Sequence, residues 1–169
     1  MSEVVRRLAR YRVRLGFLAA AGAIWLARPT ARSLAAGAAI AAVGEGLRIW
    51  AAGHLEKGRE VTASGPYRLS RHPLYVGSVL IGLGFAVASA SVAASILVLG
   101  YLTLTYGAAI RSEEAHLTEK FGAAYPEYRD GRSTAASRRF SLERVVRNRE
   151  YRAVVGLLLV LALLAWKAR

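Results

Sequence analysis

The feature that most constrains the fold is an apolar run of 37 residues, from Leu74 to Ile110, which contains no charged residue. As one α-helix this run would be about 55 Å long, whereas the hydrocarbon core of a bilayer is about 30 Å thick. The small polar stretch Ser89-Ala90-Ser91 interrupts the run near its middle and predicts a turn. The run therefore predicts two membrane-spanning helices, 74–89 and 92–110, joined by a tight hairpin.

Three further apolar stretches, 15–27, 33–53 and 153–166, extend this pattern over the whole chain. The sequence thus predicts an all-α integral membrane protein with about five transmembrane helices in a single domain, residues 1–169. The last stretch has only 14 residues, so it is a short span or, alternatively, a buried or re-entrant helix. Arg152 and Lys167 flank it and can extend their charges towards the interface, which favours a span.

The first stretch follows five arginines and therefore resembles a signal peptide; these are Arg6, Arg7, Arg10, Arg12 and Arg14. No small-x-small cleavage pattern closes the stretch cleanly, and Arg28-Pro29 comes directly after it. We therefore expect it to be retained as the first span.

The distribution of positive charge predicts the orientation of these spans. The chain has 24 Lys and Arg against 11 acids, a net charge of +13. Segments 1–14, 54–73 and 111–152 together carry 19 of the basic residues, and the segments on the opposite side carry four. This bias follows the positive-inside rule and predicts a plasma or inner membrane protein whose N-terminus is cytoplasmic. It also explains the basic charge without nucleic acid, for which a soluble basic face with stacking aromatics would be needed.

The first inner loop, 65–77, is rich in groups that could bind a ligand. Gly65-Pro66 predicts a turn, and Pro73 suits the first turn of the third span. The amino end of that helix would face the loop and favour an anionic group such as a carboxylate. Tyr67, His72 and Tyr75 add hydrogen-bonding groups. The alternative interpretation is an interfacial belt that only caps the span.

The second dense feature continues the fourth span beyond residue 110. Glu113, Leu117 and Phe121 recur every four residues, so we expect Glu113 on the packed face. Glu114 and Glu119 are then expected to be solvated acids, and Gly122 ends the helix. The hairpin would make the inner ends of spans three and four neighbours. Such a site could hold a zwitterion, its amino group at Glu113 and its carboxylate at the helix start.

Two charged residues lie within the second span, where burial of charge is costly. Glu45 and Arg48 are three residues apart and can neutralise each other on one helix face. The alternative is that Arg48 faces an interior cavity and meets an anionic group there. The chain has no cysteine, so thiolate metal sites and cysteine nucleophiles are excluded, and we expect no metal.

Over residues 44–129 the chain resembles the isoprenylcysteine carboxyl methyltransferases and the related phospholipid N-methyltransferases. The matching elements, in order, are Gly46-Leu47-Arg48-Ile49-Trp50-Ala51, Gly65-Pro66-Tyr67, Arg71-His72-Pro73-Leu74-Tyr75-Val76-Gly77, Glu113-Glu114 with Leu117, Phe121-Gly122, Tyr125 and Tyr128. Gly82-Leu83-Gly84 also resembles a Gly-x-Gly element of the phospholipid enzymes, although glycines in spans mostly serve helix packing.

The resemblance implies S-adenosylmethionine bound on the cytoplasmic side, in the region 61–129, and a tunnel for a lipidic substrate. It implies cofactor contacts from Val61, Thr62, Tyr67, His72, Pro73, Leu74 and Tyr75, and from the acidic pair Glu113 and Glu114, chiefly Glu113. The eukaryotic members carry a substrate-binding Arg one turn before the acidic pair, where this chain has Ala109. Arg48 and Arg111 are therefore our candidates for the acceptor's catalytic site.

The function that we expect is methyl transfer to an acceptor in the membrane, most simply a carboxylate of the isoprenylcysteine type. A phospholipid amine and a lipophilic thiol are alternatives, since the sequence does not identify the acceptor. Because the sulfonium methyl group is already electrophilic, we expect alignment and water exclusion and name no general base. An NADPH-dependent enzyme resembling sterol reductases and a non-catalytic scaffold remain as alternatives of other classes. Membrane lipids are expected partners, and residues 130–149 could form an amphipathic helix on the inner leaflet.

Overall fold

A computed structural model describes residues 3–132 and 138–169, and the side chains in that part from Leu15 onward. This part is helical and contains no strand, as the sequence predicts. The helices are α1 (Glu3–Leu26), α2 (Ala31–His54), a short 3-10 helix (Gly65–Arg68), α3 (Pro73–Ser89), α4 (Val92–Phe121), α5 (Ala124–Arg129), α6 (Leu142–Arg147) and α7 (Tyr151–Lys167).

Two of the described helices, α2 and α4, are long and apolar enough to cross a membrane. The apolar part of α1, Leu15–Leu26, and the helix α3 are shorter. Helix α7 has 17 residues and begins two residues before the predicted fifth stretch. The number of five spans therefore stays a prediction, as does the single domain. The side chains of the five N-terminal arginines lie outside the described part.

The helix boundaries around the long apolar run fall at the residues that punctuate the sequence. Helix α3 begins at Pro73, whose ring fits the first turn. It ends at Ser89, after which Ala90 takes a left-handed conformation with φ 46°. Helix α4 starts at Val92, and the hydroxyl of Ser91 accepts a hydrogen bond from the Ala94 amide at 3.3 Å.

Helices α2 and α3 pack backbone against backbone through glycines. A Cβ atom added to Gly44 would lie 2.6 Å from the carbonyl oxygen of Gly77, and one added to Gly84 would lie 2.6 Å from that of Gly37. Small residues at such crossings are typical of helices that associate in membranes. Gly82 packs against Leu102 of α4. The Gly-x-Gly element is thus part of the helix packing.

The helix ends meet in two groups at opposite ends of the bundle. At one end, the Arg28 amide donates to the Ser89 carbonyl at 2.7 Å, and the Ser33 hydroxyl donates to the Ala88 carbonyl at 3.1 Å. At that same end, Lys167 donates to the carbonyls of Ile24 and Trp25. The carboxyl ends of α1, α3 and α7 and the amino end of α2 therefore lie together. This alternation agrees with the predicted direction of the helices.

The segment after α5 caps the other end of α2. The Asn148 amide donates to the carbonyls of Ala52 and Leu55, and the Arg144 guanidinium donates to that of Gly53 at 2.7 Å. These bonds satisfy carbonyls that the end of a helix leaves open. Of the region 130–149, whose structure the sequence left open, residues 133–137 lie outside the described part.

Candidate active site

The loop between α2 and α3 carries the first predicted site residues. Val61 and Thr62 precede the 3-10 helix, and the Thr62 hydroxyl accepts a hydrogen bond from the Glu56 amide at 3.1 Å. Gly65 has φ 58° and lies against the ring of His54, where a Cβ atom would clash. The backbone of this loop is therefore folded tightly onto the end of α2.

Tyr67 lies buried in the 3-10 helix at the centre of the site. The Tyr128 hydroxyl donates to its carbonyl oxygen at 2.6 Å, which ties α5 to the loop. Within the described part, the Tyr67 hydroxyl has no hydrogen-bond partner, and neither has the buried Ser64 hydroxyl. Burial raises the pKa of Tyr67, and the negative charge of Glu113 raises it further. The Tyr67 phenol is thus a neutral donor without a partner.

The start of α3 is joined to α4 by an ionic cluster. The His72 ring lies with Nε2 3.0 Å from the Glu114 carboxylate, and the Arg71 guanidinium lies 3.1 Å from the same oxygen. One turn into α3, the ring of Tyr75 contacts that of His72 and packs edge-on against Tyr106, with centroids 5.1 Å apart. The structure therefore brings together the two sequence regions that we expected to be neighbours.

The expectation for the acidic pair was wrong in its detail. Glu113, expected on the packed face, is exposed, whereas Glu114, expected to be solvated, is half-buried and paired with His72 and Arg71. Successive residues of a helix differ by about 100° around its axis, and the contact with α3 selects the face of Glu114. Glu113 nevertheless lies close enough to Tyr67 to affect its pKa.

Glu114 lies one turn beyond the apolar part of α4, and its ionisation is set by its neighbours. The hydrogen bond with His72 lowers the pKa of Glu114, and the charge of Arg71 adds to this effect. The buried hydroxyl of Tyr125 lies near Glu114 without a hydrogen bond of ordinary geometry. Burial and the Glu114 charge raise the pKa of Tyr125 to about 12. A carboxylate and a neutral phenol therefore face each other at neutral pH.

Arg48 lies in the second half of α2 and contacts residues of α3 and the residue that precedes α7. Its guanidinium makes two contacts with Glu150 just before α7, at 2.7 and 2.6 Å, and donates to the hydroxyl of Ser78 on α3. A longer bond of 3.4 Å reaches the carbonyl of Leu74. The Glu45 carboxylate lies 3.8 Å from Arg48, and neither of its buried oxygens has a hydrogen-bond partner in the described part. The predicted pairing with Glu45 is thus secondary to the pair with Glu150.

Arg48 also lines a cavity of about 380 Å³ whose walls come from α1, α2, α3, α4 and α7. Most of the lining is small or apolar, and the polar side chains are Arg48, Ser78, Tyr101 and Tyr106. An interior space of this kind is what the alternative interpretation of Arg48 required. Its size and lining fit the aliphatic part of a lipophilic molecule.

The remaining predicted residues are placed as follows. Pro73 is buried at the helix start, and the Leu74 carbonyl accepts from both Arg48 and Ser78. Arg111 is exposed on α4 and does not line the cavity. Sequence reasoning missed Ser78, Tyr106 and Glu150. Glu150 carried one signal, because it is an acid at the start of the last apolar helix in an otherwise basic segment.

Comparison with known proteins places the chain in a family. Residues 11–124 match the family model described as phospholipid methyltransferase. Over 94 residues the chain is 36% identical to the cobalt-zinc-cadmium resistance protein CzcN of Cupriavidus metallidurans, covering 54% of this chain and 40% of that protein. Over 98 residues it is 40% identical to the nickel-cobalt-cadmium resistance protein NccN of Alcaligenes xylosoxydans xylosoxydans, covering 56% and 42%. The matches thus span less than half the length of these relatives, and no solved structure matches the chain.

Proposed function

The chain belongs to the phospholipid methyltransferase family, a family of membrane enzymes, and we propose that it transfers a methyl group from S-adenosylmethionine to a lipophilic acceptor. One observation carries this proposal beyond family membership. The first turns of α3 touch both the ionic site and the cavity, since His72 pairs with Glu114 while Leu74 and Ser78 contact Arg48. A cofactor at the one and an acceptor in the other would meet at the same helix end.

The residues at the ionic site fit the methionine end of S-adenosylmethionine. Glu113 is exposed and, in the described part, makes no ion pair, so its carboxylate is available to an ammonium group. The amino end of α3 would take the carboxylate group, because the helix dipole favours an anion there. The Tyr67 hydroxyl supplies a further donor without a partner. When bound, the cofactor would supply an electrophilic methyl group.

The chain's own contribution would be positioning. Glu114 holds His72 and Arg71 in place, and the tight loop from Val61 to Tyr67 would cover the cofactor from the cytosol. The apolar cavity would orient the acceptor and keep water from it. Holding two reactants in line contributes up to about 7–11 kcal/mol to such a reaction, so no general base is required.

The charges around Arg48 bear on which acceptor the chain would use. An isoprenylcysteine-type carboxylate, which the sequence favoured, would have to displace Glu150 from Arg48. A second candidate, a lipophilic amine, is supported by the Glu45 carboxylate, which is buried beside Arg48 without a hydrogen bond. Methyl transfer to matched long-chain amines, carboxylates and thiols separates these classes. Labelled product from the amine alone would support Glu45 as the selecting group, and product from the carboxylate alone would support Arg48.

The five-span topology with a cytoplasmic N-terminus is part of the proposal. The chain has no cysteine, so single cysteines can be introduced and labelled with a membrane-impermeant reagent. A cysteine at Arg68 should react only from the cytoplasmic side, and one at Arg32 only from the other side. Labelling of both from the same side would contradict the topology.

Binding of S-adenosylmethionine to the detergent-purified protein, measured by calorimetry, tests the function. We expect micromolar binding that is lost in Glu113→Ala and retained in Glu119→Ala, an exposed acid of the same helix. Loss in Glu114→Ala but not in Glu113→Ala would assign the ammonium group to Glu114. Binding of NADPH in place of S-adenosylmethionine would favour the reductase alternative, and binding of neither to a folded sample would favour a scaffold.

A further inference from the structure

The segment 138–152, here called the strap, carries six arginines that the structure divides into two groups. Three of them are paired: Arg138 with Glu60 through two bonds of 2.6 and 2.7 Å, and Arg144 and Arg147 with the buried Glu56. Glu150, an acid within the strap, forms its ion pair with Arg48 and not with the remaining three arginines. Among the side chains that the structure describes, none forms an ion pair with Arg139, Arg149 or Arg152, and all three are exposed.

Apolar side chains share this exposed surface. Leu142 and Val146 are one turn apart on α6 and are 69% and 63% exposed. Arg144 and Arg147 leave the other side of α6 towards Glu56, so α6 presents an apolar face away from the protein. The exposed Val155 continues this face into α7, whose outer side is apolar along its length.

Arg149 has a backbone conformation that glycine usually adopts. The Glu150 amide donates to the Val145 carbonyl and the Arg149 amide to that of Val146, which is the Schellman ending of α6. Arg149 occupies the left-handed position of this motif, with φ 60°, where glycine is the usual residue. Arginine occupies a position where its side chain gives no advantage to the turn.

We propose that the outer surface of the strap, formed by Arg139, Leu142, Val146, Arg149 and Arg152, binds the headgroups of anionic phospholipids in the cytoplasmic leaflet. The apolar side chains enter the boundary between headgroups and acyl chains, and the unpaired guanidiniums meet the lipid phosphates. The paired arginines hold the strap on the end of α2, so the surface is formed before any lipid binds. This inference rests on the proposed topology but not on the methyltransferase activity.

The test is thermal unfolding of the full-length protein in a non-ionic detergent, followed by tryptophan fluorescence, with added phosphatidylglycerol or phosphatidylcholine. Phosphatidylglycerol should raise Tm at lower concentration than phosphatidylcholine, and added salt should weaken the effect. Each arginine at an anionic surface contributes about a fivefold change in affinity. The variant Arg149→Gly/Arg152→Gln should therefore bind phosphatidylglycerol about 25-fold more weakly. Glycine suits the left-handed position, so this variant should keep its fold.

The matched control is Arg28→Gln/Arg32→Gln, which removes two exposed arginines from the opposite end of the bundle and should leave the lipid effect unchanged. An equal loss in both double variants would overturn the proposal, because the effect would then follow net charge. Equal stabilisation by the two lipids would also overturn it. Inorganic phosphate that reproduces the effect would show an anion site and not a lipid surface.

Discussion

Replacement of Glu150 by Gln tests the ion pair that joins α2 to α7. The change keeps the size of the side chain and an acceptor oxygen but removes the charge facing Arg48, whose side chain is 20% exposed. Two hydrogen bonds between opposite charges then become bonds from the charged guanidinium to a neutral amide oxygen, a loss of about 1–1.5 kcal/mol each. Complete loss of a buried partner costs about 3–5 kcal/mol. Because Glu45 lies 3.8 Å away and can partly replace the charge, we expect the smaller value, about 2–3 kcal/mol.

The assay is thermal unfolding in detergent, where about 2–4 °C of Tm correspond to 1 kcal/mol for a chain of this size. Glu150→Gln should therefore lower Tm by roughly 5–10 °C. Glu45→Gln alone should change Tm little, since the Glu45 oxygens accept no hydrogen bond in the described part. The double variant should lose more than the sum of the two, with a coupling of about 1 kcal/mol, because no carboxylate then remains beside Arg48.

A matched control is Glu60→Gln, which removes the charge from the pair with Arg138, where both side chains are about 40% exposed. Exposed pairs contribute about 0–1 kcal/mol, so its effect should be small. A Glu150→Gln variant as stable as this control would refute the argument that Arg48 depends on Glu150.

Three further predictions follow from the geometry. Gly44→Ala should lower Tm strongly, since its Cβ atom would lie 2.6 Å from a backbone oxygen of α3. Gly46→Ala should be neutral or stabilising, because no atom lies within 4 Å of the added Cβ. Equal Tm values of the two variants would contradict the packing of α2 on α3. Gly65→Ala should weaken S-adenosylmethionine binding in calorimetry, because φ 58° and the neighbouring His54 ring disfavour any side chain there, and unchanged affinity would separate this loop from the cofactor. In an ultraviolet titration read as a difference from Tyr125→Phe, Tyr125 should ionise near pH 12. The free energy of unfolding should fall as pH rises from about 10, since the unfolded chain loses the Tyr125 proton first. Glu114→Gln should lower the pKa of Tyr125, and an unshifted titration in that variant would contradict the proximity of the two side chains.

The sequence predicted the parts of the fold that depend on short-range signals. Pro73 marks the start of α3 because its ring fits a first helical turn, and the polar stretch around Ala90 marks the end. The α-class and the ends of α3 depend on residues whose neighbours along the chain determine their geometry. The meeting of His72 with an acid of α4 joins distant residues, but it followed from the tight turn between α3 and α4, which makes the other ends of these helices neighbours.

The errors and omissions involve contacts that join distant residues. The choice between Glu113 and Glu114 depends on the rotation of α4 about its axis, which the packing against α3 sets. The pair of Arg48 and Glu150 joins residues 102 positions apart, and the capping of α2 by Asn148 joins residues similarly distant. No periodicity in the sequence reports such pairs. The strap, which the charge pattern predicted only to be cytoplasmic, caps the carboxyl end of α2.

The unequal number of charges around Arg48 bears on the choice of acceptor. Glu45 and Glu150 place two carboxylates beside one guanidinium, with Glu45 8% and Glu150 6% exposed as side chains. A carboxylate acceptor beside Arg48 would bring a third negative charge to a buried position, where an uncompensated charge is costly. An acceptor with an ammonium or amine group would instead balance the second carboxylate and give Glu45 the hydrogen bond that it lacks. We therefore propose that the charges around Arg48 favour an amine over the carboxylate that the sequence suggested, and Glu45→Gln should remove that preference while leaving S-adenosylmethionine binding intact.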